Sequence, residues 1–446
     1  MPEWQSWLFD LSDIVGKEHV STQEADLAAL TGAGGLGKMP RALVYPDRTD
    51  EVGKLLRFSH QHKIPVAQVG SVTCGCDGAE DREGWIALDL KRMTRLRHVN
   101  PTDLTCEVEA GMTGENLEKA LQEKGLTLGR IPGHLAQATV GSWLAGRPAG
   151  PWPSPSGRLS DLVLSLEGVL PDGTVFKSRA TPRSAAGPDL DQAVIGTEGW
   201  IAVVTAAVLA IRPIPAAHAS RGFRFADLPA ALEVMRAVAQ QGWNPAAAWL
   251  ADERLTRHLA ANRRLEPEEA RGSLLILAYE GPRSELIQFK AERAFQRARE
   301  QGGEELGEGT ALEVLRPGAD QRRLAVEMAT TWSELMPLVQ ALRQAVEPRA
   351  ELFASFFALG REGVGIRLSL LAKGEAEAEI ALDQEVWKKV IEAAVHARAA
   401  ISHFPGLRLH PAVAAQSSAA RDIYQGWKRY LDPENLLNSS SAAPRL

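Results

Sequence analysis

A chain of 446 residues is too long for one ordinary hydrophobic core, so its length implies two large domains. Hydrophobic residues make up 45% and charged residues 24%, as in an ordinary globular protein, and a net charge of -6 argues against nucleic acid as the main partner. Three cysteines (Cys74, Cys76, Cys106) make no disulfide framework, the start MPEWQSWLFD lacks signal-peptide character, and no apolar run is long enough for a transmembrane segment; a cytoplasmic enzyme or enzyme-like protein is expected.

Residues 1–39 read as one or two short helices ending in the loop signal Thr31-Gly32-Ala33-Gly34-Gly35. RALVYP is a strand, Thr49-Asp50-Glu51 caps a helix with the apolar face Val52, Leu55, Leu56 and Phe58, and IPVAQVG is a second strand. WIALDL, LTCEVEAG, LVLSLEGVLPDG and WIAVVTAAVLAIRPIP follow as strands, with a helix from Gly114 to Lys124. Arg212-Pro213-Ile214-Pro215 closes this half, because proline does not continue a ladder. From about Arg221 the pattern is a second α+β domain. FRFADLPAALEVMRAVAQQG is strand, turn and helix; SLLILAYEG and GIRLSLLAKG are strands; SELIQFKAERAFQRAREQGG and Glu385 to Ala400 are helices; Ser439 to Leu446 is a loose tail. The basic stretch Lys91, Arg92, Arg95 and Arg97 reads as a solvated face rather than a polyanion site. Cys74-Gly75-Cys76, a lone C-x-C, reads as small residues in a turn, so no metal is expected.

Four glycine-containing segments sit beside strands or open helices: Gln68 to Gly75, Glu109 to Gly114, Gln137 to Trp143 and Val194 to Trp200. Backbone amides in such turns can face a pyrophosphate or a flavin ring, and glycine permits the close approach. Each alone is an ordinary turn, and the spacing leaves the ligand open.

These segments, with PRALVYPDRTDEV, GRLSDLVLSLEGVLPDG, AAGPDLDQAVIGTEGWIAVVTAAVLAIRPIP and the closing LDPENLLN, resemble the vanillyl-alcohol-oxidase and p-cresol-methylhydroxylase (PCMH) superfamily of flavoproteins. Within it the resemblance is greatest to the alkyl-dihydroxyacetone-phosphate synthases. It implies an α+β chain: an N-terminal helical segment (1–39), a two-subdomain PCMH-type FAD-binding domain (40–215), an α+β cap (216–400) and a C-terminal segment returning to the FAD domain (401–446). It also implies non-covalent FAD. The pyrophosphate loop would fall on Gly70, Ser71, Val72, Thr73 and Cys74; Met112, Thr113, Gly114, Thr139, Gly141 and Ser142 would lie near the flavin or diphosphate; Gly196, Thr197, Glu198, Gly199 and Val203 or Val204 would meet the far end.

The chain departs from the family at Ser71 and Val72 in the loop, at Ser142, at Ser156, and at Trp200-Ile201-Ala202. In the cap, a family histidine cluster is reduced to His403 in SHFPG, with His410 nearby, and the family's tyrosine strand reads GIRLSLL. His403 and His410 are the catalytic candidates by resemblance, and Arg361, Arg367 and Arg408 the candidates for an anionic substrate group. Trp332 and Glu334 either line the substrate cavity or begin a helix with the indole in the core. Three functions stay open: an FAD oxidoreductase or flavin-dependent transferase for a small or lipid-linked hydroxy or keto substrate; a degenerate paralogue or partner subunit with weak or no FAD; and an alkyl-dihydroxyacetone-phosphate synthase. A homodimer or a partner subunit is the form of assembly the resemblance allows.

Overall fold

The computed structural model describes residues 3–30, 38–70, 83–129, 136–147, 159–182, 187–262, 265, 271–306, 325–347, 349–357, 360–372, 384–403 and 418–439. Among these residues the strands form sheets of four, five and eight, plus a two-stranded ladder.

The first sheet contains β1 (Val20–Ser21), β2 (Ala42–Val44), β3 (Val66–Val69) and β4 (Ile86–Asp89), in the order β1-β2-β4-β3. β4 runs parallel to both β2 and β3, and β1 is antiparallel to β2. The helices before and between them are α1 (Glu3–Val15), α2 (Glu24–Ala28) and α3 (Thr49–His62). The N-terminal segment is therefore more than helical, because β1 edges the sheet. Val52, Leu55 and Phe58 of α3 bury against Val44, Val66 and Leu88. They recur at helical spacing, so one stripe of α3 meets the alternating inner face of the strands.

The chain continues through β5 (Leu96–Asn100), β6 (Thr105–Glu109), α4 (Gly114–Gln122), β7 (Leu126–Thr127), α5 (Val140–Gly146), β8 (Val163–Val169), β9 (Val175–Lys177), α6 (Leu190–Val194), β10 (Val203–Ala210) and β11 (Arg212–Pro213). The second sheet has the order β5-β6-β10-β8-β9 and is antiparallel. Contrary to the proline argument, Pro213 does pair: β11 lies against β7, with Pro213 opposite Leu126. The donor comes from the next residue, Ile214, whose N–H reaches the Gly125 carbonyl at 3.0 Å. A short ladder tolerates proline when a neighbour supplies the bond.

Thr49 is not a cap. The residue before the helix is Arg48, with no side-chain cap bond, and the Thr49 hydroxyl crosses to the second sheet, donating to Glu167 Oε1 (2.5 Å) and lying 3.0 Å from Thr205 Oγ1. Nor are the arginines of the basic stretch a free face. Arg97 pairs with Glu167 (3.0 Å), and Arg95 and Arg97 both bond buried Glu109.

The cap begins with β12 (Ala217–Phe225), α7 (Leu228–Gln240), β13 (Ala247–Ala251), α8 (Glu253–Ala261), β14 (Ser273–Gly281), α9 (Ser284–Glu300), β15 (Glu304–Leu306) and β16 (Ala325–Thr331). It ends with α10 (Leu335–Val346), β17 (Ala350–Phe357), β18 (Gly363–Ala372), α11 (Gln384–His396) and β19 (Ala400–His403). Its sheet has the order β15-β12-β14-β13-β17-β18-β16-β19. α11 stops earlier than expected: Arg398 is left-handed (φ 52°), and 400–403 then pair with β16 as a strand. Helices α7, α9, α10 and α11 cover one face, where Phe223, Phe356, Leu342 and Val390 pack. Each such side chain contributes about 1.5–3 kcal/mol by leaving water.

The last helix, α12 (Ser418–Leu431), leads to a segment that runs beside β3. Leu437 bridges Val66 of β3 in parallel, and Leu436 and Leu437 donate to buried Asp432. Lys428, 4% exposed, donates to Asp432 (2.6 Å) and to the Trp200 and Leu437 carbonyls (2.8 and 2.7 Å). No described helix is long and apolar enough to cross a membrane.

Burial pushes the Glu167 carboxyl up, but the Thr49 hydroxyl and the Arg97 and Lys177 charges outweigh it, leaving it below its ordinary range. A native value below the unfolded one gives stability that is complete above about pH 4.3 and is lost as pH falls through the native value. Because the network is partly exposed, the effect is about 1 kcal/mol or less. Glu167→Gln should lower Tm at pH 7 by about 2 °C. Its deficit should shrink on acidification; a deficit unchanged down to pH 3 would mean that the ionised form contributes nothing.

Candidate functional site

Two regions gather the sequence-selected residues. The first is built where β3, the β6–α4 turn, α5 and the turn before β10 meet. Thr113 caps α4 and Thr139 caps α5, each hydroxyl accepting from a backbone N–H three residues on. The two cap segments are joined by a bridge between Thr113 and Thr139. Gly114 donates to the Ala138 carbonyl (3.0 Å), Val140 to Met112 (2.8 Å) and Gly141 to Ala110 (2.8 Å). The third segment is tied to α5, with Gly196 N–H donating to Leu144 (2.8 Å) and Glu198 N–H to Ala145 (2.9 Å).

Gly70, at the end of β3, faces Ser142: a Cβ at position 70 would lie 2.4 Å from Ser142 Oγ. That hydroxyl is also 2.9 Å from Thr139 Oγ1. A side chain at position 70 would therefore have to displace the Ser142 hydroxyl, while the torsion of Gly70 itself imposes no such demand. The region thus combines a glycine, two hydroxyls and backbone turns, and the Trp200 indole N–H nearby in the chain is buried without a partner among the described residues. Such uncharged donors fit a phosphate- and ring-bearing cofactor. Met112 and Val203 are core residues, so only their main chain is left for a ligand. Ser71, Val72, Thr73, Cys74 and Cys76 lie outside the described residues, as does Ser156.

The second region is the cap-sheet face opposite α7, α9, α10 and α11. Side chains alternate along a strand, so when Val326, Met328, Ile366 and Leu368 point into the helical core, Glu327 and Arg367 point away. Register sets a row across four strands: Ser355 opposite Arg367, Arg367 opposite Glu327, and Glu327 opposite His403. Arg367 Nη1 donates to Glu327 Oε1 at 3.1 Å. Both are buried, at 9% and 1% exposure, as is Ser355. Taking two charges out of water costs several kcal/mol each, and the attraction between the two offsets part of that cost.

Thus His403 and Arg367, chosen separately from sequence, are neighbours in register through Glu327, which was missed. The only hint was a lone glutamate in AVEMATT, a strand too short of alternation to be noticed. Arg361 is elsewhere: exposed in the β17–β18 turn, its carbonyl accepting from the Trp332 indole (3.1 Å) and Gln240 (3.4 Å). Trp332 packs against the helical core and Glu334 precedes α10, in keeping with the helix-start reading. Arg408 and His410 lie outside the described residues. Among the described residues, no cluster of acidic, histidine or cysteine side chains could hold a metal.

Residues 40–179 match the family model "FAD binding domain", and residues 214–441 match "FAD linked oxidases, C-terminal domain". FAD is the cofactor of such domains. The chain is 30% identical to alkyldihydroxyacetonephosphate synthase of Caenorhabditis elegans over 49% of its own length and 37% of that protein. It is 31% identical to the FAD-linked oxidoreductase YgcU of Escherichia coli (strain K12), over 48% of this chain and 45% of the relative. The matches therefore span less than half of these relatives. Among solved structures, an alkyldihydroxyacetonephosphate synthase is similar with a TM-score of 0.78, at 18% identity over 98% of this chain and 85% of that one. A p-cresol methylhydroxylase is similar with a TM-score of 0.81, at 16% identity over 99% and 97%. At these identities the likeness is one of fold.

Removing one partner of a buried ion pair strands the other, at about 3–5 kcal/mol. Glu327→Ala should therefore lower the unfolding free energy by roughly that amount. Pairing it with Arg367→Met should recover part of the loss in urea denaturation; no recovery would mean the two charges are not energetically coupled.

Proposed function

Because the chain belongs to the FAD-linked oxidases, within the vanillyl-alcohol-oxidase and p-cresol-methylhydroxylase superfamily, we propose that it is an FAD-dependent oxidoreductase acting on a small or lipid-linked hydroxy or keto substrate. The observation that carries this reading is the convergence of Gly70, the Met112–Gly114 turn, Thr139, Gly141 and Ser142 within the residues that match the FAD-binding domain. In this reading FAD is held non-covalently. Those residues and the loop Ser71 to Cys74 meet the diphosphate and flavin, and Gly196, Glu198, Gly199 and the Val203 main chain meet the far end. When bound, FAD supplies two-electron chemistry at the flavin ring.

This chain's own residues then do the positioning. His403 takes up the substrate proton, since a histidine titrates near neutrality. Arg367, held by Glu327, orients a polar substrate group from the same row. The domains divide near residues 39/40, 215/216 and 400/401. We place the protein in the cytoplasm, as a homodimer or beside a partner subunit.

The purified protein should be yellow and release FAD on denaturation in about a 1:1 ratio, the expectation for one site per chain. A preparation that stays colourless in excess FAD would remove the enzyme reading and leave the partner-subunit one. Reduction of a flavinated sample by hydroxy acids or alcohols would mark the oxidoreductase. An ether product from an acyl ketone phosphate and a fatty alcohol would mark synthase-type transfer instead.

A further inference from the structure

Asn438 closes the segment that returns from the C-terminal helix. It is 5% exposed and left-handed, with φ 45°, a conformation asparagine accepts more readily than most residues. Three of its polar groups go to two different segments. The backbone N–H donates to the Val66 carbonyl at 2.8 Å. The side-chain Oδ1 accepts from Gln68 N–H at 2.9 Å, and Nδ2 donates to the Glu198 carbonyl at 2.6 Å. One amide orientation alone satisfies both, since an N–H needs the oxygen and a carbonyl needs the nitrogen.

The segments joined this way are β3, at Val66 and at Gln68 two residues before Gly70, and the Glu198–Gly199 turn. Both turn residues are left-handed, at φ 51° and 72°. The turn is packed from two sides: a Cβ on Gly199 would lie 2.2 Å from Gln68 Nε2 and 2.9 Å from Asn438 Nδ2. Gln68 Nε2 itself donates to the Gly199 carbonyl at 3.0 Å. Asn438, Gln68 and the turn therefore form a closed triangle of hydrogen bonds. Upstream, the Lys428–Asp432 pair fixes the path of the segment, and Lys428 also holds the Trp200 carbonyl one residue beyond the turn.

We propose that Asn438 is a positioning residue for FAD. It fixes the separation between the Gly70 end of β3 and the Glu198–Gly199 turn, so the two walls of the cofactor site are set only when the C-terminal segment is docked. The inference rests on the FAD placement proposed above. Asn438 need not touch FAD; it holds the main chain of residues that do.

The test titrates apo-protein with FAD, following flavin fluorescence, and measures the apo-protein Tm in parallel. Asn438→Gly removes the side chain while keeping left-handed backbone accessible. Asn438→Asp keeps the acceptor for Gln68 but sets a carboxylate oxygen against the Glu198 carbonyl. Lys63→Ala is the control: it removes an exposed ion pair to Glu434 (3.3 Å) on the same returning segment. Both Asn438 variants should bind FAD about tenfold more weakly or worse, the scale of two buried hydrogen bonds. Their apo Tm should fall by no more than the few degrees that two lost hydrogen bonds cost, and visible circular dichroism of the bound flavin at saturation should change. Lys63→Ala should leave FAD affinity unaltered. FAD affinity within about twofold of wild type in Asn438→Gly would overturn the proposal, being less than one net hydrogen bond. So would bound-flavin circular dichroism that is unchanged at saturation, which marks a merely structural residue. If wild type itself takes up no FAD, the cofactor placement fails, and this inference with it.

Discussion

The buried Lys428–Asp432 pair is the constraint from which the arrangement of the cofactor domain follows. An ammonium and a carboxylate with almost no water access are tolerable only when every donor and acceptor is used. Here the ammonium takes three oxygens, and the carboxylate takes the ammonium and two backbone N–H groups. These bonds leave the returning segment one path, alongside β3. Residues more than 360 positions apart in sequence, such as Gln68 and Asn438, thereby share a hydrogen bond. The chain's end becomes part of the wall at the start of the glycine segment.

A second constraint joins the two smaller sheets. Thr49 at the head of α3 bonds Glu167 and Thr205 of the neighbouring sheet, and Arg97 of β5, with Arg95 just before it, closes the network over Glu109 and Glu167. Glu109 directly precedes the turn that carries Met112, Thr113 and Gly114. Anchoring a buried carboxylate there fixes where that turn begins, and the bridge to Thr139 carries the constraint to α5. In the cap, alternation does comparable work: one face of each strand serves the helical core, and the other collects Ser355, Arg367 and Glu327 in a row. The same pattern that stabilises the sheet thus concentrates polar groups opposite the core.

Legibility followed the strength of local signals. α3, α4, α7 and α9 were readable because apolar residues recur at helical spacing between glycines and polar caps. β3, β8, β10 and β14 were readable as apolar runs. β5, with its exposed LRHVN, was not, because it is an edge strand whose alternation is carried by charges. β16 was missed because AVEMATT mixes small and polar residues, and what makes it a strand is two neighbours, β18 and β19. The capping role assigned to Thr49 failed for a related reason: a distant carboxylate outcompetes the local backbone for its hydroxyl.

The sequence by itself determined the α+β class, the order of the glycine segments and the family resemblance that names FAD, since all three depend on local pattern and spacing. It also isolated His403 and Arg367 as candidates. Only the tertiary structure decided that these two share a row through Glu327, that Arg361 does not, and that Asn438 closes on Gln68 and Glu198. Those relations depend on strand register and on the fit of segments remote in sequence. Neither is encoded in local periodicity, because each is selected by the burial and hydrogen bonding of both partners at once.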